Sequence, residues 1–191
     1  MTTHDDLSIK IVDCAVQLAS KSSWESLRLH DIADELEITL AEIAGHFAEK
    51  EQISEAWFDR ADRNMLNAMQ SASFSSLSVQ QKFYHLMMAW LEPLAFNHRV
   101  TRQMILNKLE PGHLHIQIPA LLRISRTVQW LREAADQKST LPRRALDESV
   151  LTTIYVTTFC CWLTEHDPQF QRTKRWLESQ LTFASRFGFL K

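Results

Sequence analysis

The residues best placed to do chemistry lie between positions 28 and 53, RLHDIADELEITLAEIAGHFAEKEQI. Leu29, Ile32, Ala33 and Leu36 recur at helical spacing and give a first helix one apolar face. Ile38 packs the turn, and Thr39 stands where an N-cap oxygen is wanted. Glu42, three residues on, makes positions 39–42 a capping box for a second helix. Ile43 and Phe47, four apart, bury that helix on one side. Two helices joined by a turn of about three residues describe a helix-turn-helix unit. Such a unit lays its second helix in the major groove of a duplex, held by phosphate contacts from Lys, Arg and backbone N–H groups.

Other chemistry is thinly supported. His113 and His115, with Glu110 nearby, have a spacing that suits a loop metal site rather than one helix face. There is no Ser-His-Asp arrangement, glycine-rich phosphate loop or cysteine pair at zinc spacing, so neither catalysis nor a resident cofactor is expected. Cys14 falls in an apolar helical pattern, and adjacent Cys160 and Cys161 are poorly placed to bridge each other. The three read as core thiols of a reduced, cytoplasmic protein.

The elements that must position the helix-turn-helix are all helical. The 191-residue chain is 45% hydrophobic, with 3 Gly and 5 Pro, and shows little alternation of period two. An all-α fold follows. No apolar run approaches the ~18 residues of a membrane span, and positions 1–10 lack the pattern of a secretory signal. Charge is uneven. Residues 1–60 hold five basic and thirteen acidic residues, a formal −8, so the remainder carries +6 of the overall −2.

In order, helices are expected over 5–22, 29–37, 40–46, 49–71, 79–96, 99–109, 119–137, 143–166 and 168–187. Pro93 should kink or end the fifth. Pro119 should open the seventh and Pro168 the ninth, with Asp167 as its N-cap. The serine-rich run 71–78 is the best boundary signal. The division predicted is a head over 1–50, a connecting helix over 51–71 and a body over 72–191.

The residues Ile32-Ala33, Ile38-Thr39, Ile43-Ala44, His46-Phe47 and Lys50-Glu51 together resemble the head of TetR-type transcriptional regulators. The resemblance extends back through Ile11, Ala15 and Leu18 to Trp24. It implies a TetR-like architecture of about nine helices, a helix-turn-helix head on a ligand-binding body, and a homodimeric repressor that leaves double-stranded DNA when a small apolar ligand binds. DNA contacts would fall at Arg28, Thr39, Leu40, Ala44, His46 and Lys50, with His46 and Lys50 reaching phosphates and Thr39 a phosphate or a base. The chain departs from the family at Leu40 and Ala41, where basic or small polar residues are common, and at Ala44, where tyrosine is usual. Glycine is frequent near Ser23 in the family, which predicts a strained left-handed ending there.

The resemblance also implies that the last two helices pair with those of a second subunit, through Val150, Ile154, Thr157, Cys161, Trp176, Leu177 and Leu181. A body cavity would be lined by Phe83, Met87, Met88, Trp90, Met104, Leu121, Trp130, Tyr155 and Phe159, with Arg126 or His85 as its only charge partners. A second resemblance competes. The stretch from Tyr155 to Thr173 resembles the end of the Coq-nine lipid-binding proteins of ubiquinone biosynthesis, which share the fold. That would imply a lipid or isoprenoid ligand, a retired acidic head, and a terminal amphipathic helix at a membrane surface. That helix would use Phe170, Trp176, Leu177, Phe183, Phe187 and Phe189 with Arg172, Lys174, Arg175 and Arg186.

Overall fold

A computed structural model describes residues 3–108, 114–136 and 143–190, with side chains from 6–108, 122–136 and 145–190. Among these residues the chain is helical, without strands: α1 (Thr3–Lys21), α2 (Leu29–Leu36), α3 (Leu40–His46), α4 (Lys50–Ala68), α5 (Val79–Ala95), α6 (His98–Lys108), α7 (Leu114–Ala134), α8 (Arg143–Leu163) and α9 (Gln171–Arg186). The contacts separate into two compact units, Met1–Ala61 with Pro93–Gln117, and Asp62–Glu92 with Ile118–Lys191. The division differs from the expected one. Helix α6 belongs with the head, and the boundary cuts α4 rather than the serine run, where Phe74 is buried in a 3-10 turn (Phe74–Ser76).

The first unit is built around Ile11, Ala15, Trp24, Ile32, Ile43 and Ile53, all fully buried. Helix α1 packs on α2 and on α6, and α2 on α3. Helix α2 opens where the Arg28 N–H donates to the Asp31 carboxylate at 2.8 Å. It ends at Glu37, whose backbone is left-handed (φ 54°), with Ile38 N–H bonded to Ala33 O at 3.0 Å. The strained left-handed residue is therefore Glu37; Ser23 does not adopt that conformation. This conformation suits glycine, and it turns the chain sharply enough to start α3 three residues later. Helix α6 is tied in by Gln103, whose side-chain oxygen accepts from Trp24 N–H at 2.8 Å, and by Thr101, which accepts from Trp57 Nε1 at 3.0 Å. Buried Lys108 pairs with Glu55.

In the second unit, α8 packs along α9. Helix α5 runs two residues past Pro93, and α7 starts five residues before Pro119, which therefore does not open its helix. Helix α9 begins at Gln171 rather than 168. Asp167 accepts from Gln169 N–H at 3.0 Å in the preceding turn and from Gln171 N–H, the first of the helix, at 3.4 Å. The next two helix N–H groups, of Arg172 and Thr173, donate to Glu165, at 2.7 and 2.9 Å. Burial alone would raise the Glu165 carboxyl, but the bonds from Thr173 and Arg172 outweigh it and leave it below the usual range.

Candidate nucleic-acid interface

The turn into α3 is built as the sequence predicts. Thr39 Oγ1 accepts from Glu42 N–H at 3.2 Å, and Glu42 Oε2 accepts from Thr39 N–H and Oγ1, both at 2.8 Å. These bonds satisfy donors at the helix start and hold the Glu42 carboxyl below its ordinary range. They also engage the Thr39 hydroxyl, which donates to Glu42. With Ile43 fully buried, α3 presents Leu40, Ala41, Glu42, Ala44 and Gly45 to the outside. His46 is half-buried, its ring centroid 6.5 Å from that of Phe47. Arg28 is exposed and paired with Asp31 at 2.8 Å.

Lys50 is placed differently from the expectation. Its ammonium donates to the backbone carbonyls of Trp24, Leu27 and Glu25 at 3.0, 3.0 and 3.3 Å, and lies 5.5 Å from the centroid of the Trp24 ring. Burial pushes its pKa down. All three N–H donors of the group are spent inside the chain, so Lys50 is a clasp closing the α1–α2 turn. Lys10, Arg28 and Arg60 pair with Asp6, Asp31 and Asp13. Of the five Lys and Arg within residues 1–60, four are thus engaged in the chain itself. Sequence reasoning missed the clasp because its acceptors are backbone carbonyls more than twenty residues away, which no local pattern encodes.

The expected cavity residues scatter. Phe83, Met87, Trp90 and Tyr155 are buried, and Phe159 and Met88 are half-buried. Trp90, Tyr155 and Phe159 form one aromatic cluster, with edge-on contacts of 5.1 Å from Trp90 to each of the other two. Trp130 is 47% exposed, so it lines no interior, and Met104 lies in the first unit. Leu121, like His113, His115 and Glu110, lies outside the described side chains. Arg126 and His85 are exposed. The charge beside the aromatic cluster is instead Asp62. It accepts from Trp90 Nε1 at 2.8 Å and Thr127 Oγ1 at 3.0 Å, and pairs with Arg123 at 3.1 Å. Tyr155, desolvated and near the Asp62 carboxylate, has its pKa pushed far up. Periodicity could not find this knot, because Asp62 and Arg123 come from helices sixty residues apart.

The expected subunit contacts divide as well. Ile154, Leu177 and Leu181 are buried within their own chain and are not available to a partner. Val150, Thr157 and Cys161 are half-buried, and Trp176 is 41% exposed with its Nε1 3.4 Å from Thr157 Oγ1. Phe183 and Phe187, each 61% exposed and 4.5 Å apart by ring centroid, continue the apolar surface on α9. Of the apolar residues a membrane-lying α9 would use, Leu177 is buried, Phe170 and Phe189 are half-buried, and Trp176, Phe183 and Phe187 are exposed. Among the described residues no helix is long and apolar enough to cross a membrane, and no His, Cys, Asp and Glu cluster could hold a metal ion.

A capped helix-turn-helix on an all-helical chain defines the class of a regulator with a reading head. Solved structures make the assignment specific. The chain is similar to a TetR transcriptional regulator from Nitrosomonas europaea ATCC 19718, with 46% identity, a TM-score of 0.85, and 95% of this chain and 99% of that one covered. A TetR transcriptional regulator from Rhodococcus sp. RHA1 shares the fold at 16% identity and TM-score 0.69, covering 92% of this chain and 93% of that one. No family model matches the chain, and no curated protein does. The protein belongs to the TetR family of transcriptional regulators.

Proposed function

We propose that this chain acts in the cytoplasm as a dimeric, DNA-binding repressor that a small, largely apolar ligand releases from its operator. One observation carries the reading. The capped α3 points Leu40, Ala41 and Ala44 outward, in a chain that is 46% identical over nearly its whole length to a TetR regulator. The ligand reading is supported by the Trp90–Tyr155–Phe159 cluster beside the Asp62–Arg123 pair. Apolar walls with a few fixed polar groups are the usual make-up of a small-molecule site. Helix α4 runs from one compact unit into the other, which makes it the covalent route for a ligand effect on the head. For the dimer, the support is the outward surface of Trp176, Phe183 and Phe187.

The test is a mobility shift with the duplex upstream of the protein's own gene, over a series of salt concentrations. Retardation at low ionic strength supports the reading, and its absence there overturns it. Phe183→Arg with Trp176→Arg should turn a dimer into a monomer in light scattering without unfolding it. An unchanged mass would place the subunit interface elsewhere.

A further inference from the structure

If the head reads a duplex as proposed above, α3 limits what it can read. Besides Glu or Asp for cytosine and Ser or Thr for either, hydrogen-bonded base readout uses four residue types, Arg or Lys for guanine and Asn or Gln for adenine. From position 39 to 45 the residues are Thr, Leu, Ala, Glu, Ile, Ala and Gly. None of those four types is present. The two polar side chains in the run, Thr39 and Glu42, are bonded to each other in the capping box. What remains outward is apolar, led by Leu40, which is 46% exposed at the start of the helix. N-terminal residues of a recognition helix are the ones that meet base edges. The major-groove group that apolar side chains recognise is the C5-methyl of thymine.

Gly45 adds an independent observation. A methyl group built on its Cα meets nothing within 4 Å. Its backbone is not left-handed, since the positive-φ glycine of the described residues is Gly188. The fold therefore does not require glycine there, although glycine inside a helix costs about 1 kcal/mol relative to alanine. A bare backbone on the outward face is suited to close approach by something outside the chain.

We infer that α3 selects thymine-rich half-sites, with Leu40 and Ala44 packing on thymine C5-methyl groups and Gly45 leaving room for the duplex to come close. The experiment selects from a randomised duplex library with the full-length protein. Deoxyuridine then replaces thymidine in the enriched duplex, which removes only the methyl groups. Thymine should be enriched under each head. Each methyl removed should weaken binding roughly fourfold, the value of one buried methylene-sized group. Leu40→Ala should weaken binding to the thymidine duplex and make no further difference on the deoxyuridine one. Gly45→Ala should raise the melting temperature while weakening DNA binding, a pairing that a purely structural role does not produce.

Equal affinity for the two duplexes, or enrichment of G·C pairs with no thymine preference, would overturn the inference and leave the regulator reading intact. If the Gly45→Ala variant binds as tightly as the parent, the close approach is wrong. If no duplex is retained even at low salt, the regulator reading fails and the inference with it.

Discussion

Replacing Lys50 separates two roles that a lysine at this position can play. In Lys50→Met the stem that packs beside Trp24 is kept and the ammonium is removed. Three backbone carbonyls, of Trp24, Glu25 and Leu27, then lose their donor. A hydrogen bond to a charged group contributes about 1.5–3 kcal/mol. The three share one half-buried cation and do not add, so a total loss of about 2–3 kcal/mol is expected. In a chain of this length each kcal/mol moves the melting temperature by about 2–4 °C. A thermal melt should therefore fall by several degrees. The slope of log affinity against log salt for DNA should stay the same, because no phosphate contact has been removed. A melt unchanged within error, together with a slope shallower by about 0.9 per head, would mean that Lys50 neutralises a phosphate and that the clasp is secondary.

Glu37→Gly should stabilise the head by about 0.5–1 kcal/mol in urea unfolding, because glycine takes the left-handed conformation without a Cβ penalty. A loss of stability would show that Glu37 makes a contact that outweighs the strain. Asp62→Ala leaves Arg123 as a buried charge without this carboxylate, and should cost about 3–5 kcal/mol. Adding Arg123→Met should recover much of that, and a double-mutant cycle that shows no coupling would refute the pairing. Glu165 has a folded pKa below its ordinary value of 4.5. Its contribution is thus present above pH ~4.5 and lost as the pH falls through the folded value. Glu165→Gln should cost about 1–2 kcal/mol near neutrality and flatten the acid side of the stability profile. An identical acid limb in both proteins would remove Glu165 as the cap of α9.

The legible parts of this molecule are those written locally. The capping box at Thr39–Glu42 and the bounds of α3 follow from residues within four positions of one another, and the structure keeps them. Helix existence was legible throughout from apolar spacing, while Pro119 and Pro168 misled as helix starts: α7 opens at Leu114 and α9 at Gln171. The roles of Lys50 and Asp62 were not legible. Each is set by partners far away in sequence: Trp24 and Leu27 for the first, Trp90, Arg123 and Thr127 for the second. Three of the seven residues expected on the subunit surface, Ile154, Leu177 and Leu181, are buried in their own chain for a related reason. Apolar spacing reports that Leu177 and Trp176 are both on a helix with a buried side, and only packing tells which of the two faces its own chain.

The acidic head makes duplex binding the decisive property. Four of the five Lys and Arg within residues 1–60 are engaged internally, so attraction of this segment to phosphates is weak and contact with base edges must contribute a large share. The direct measurement is fluorescence anisotropy of the full-length protein with its upstream duplex across a salt series. A saturable complex at low ionic strength, with a salt slope shallower than that of a repressor making six to ten phosphate contacts, is the predicted result. No complex at the lowest salt, or the same affinity for every duplex with a steep slope, would contradict the account.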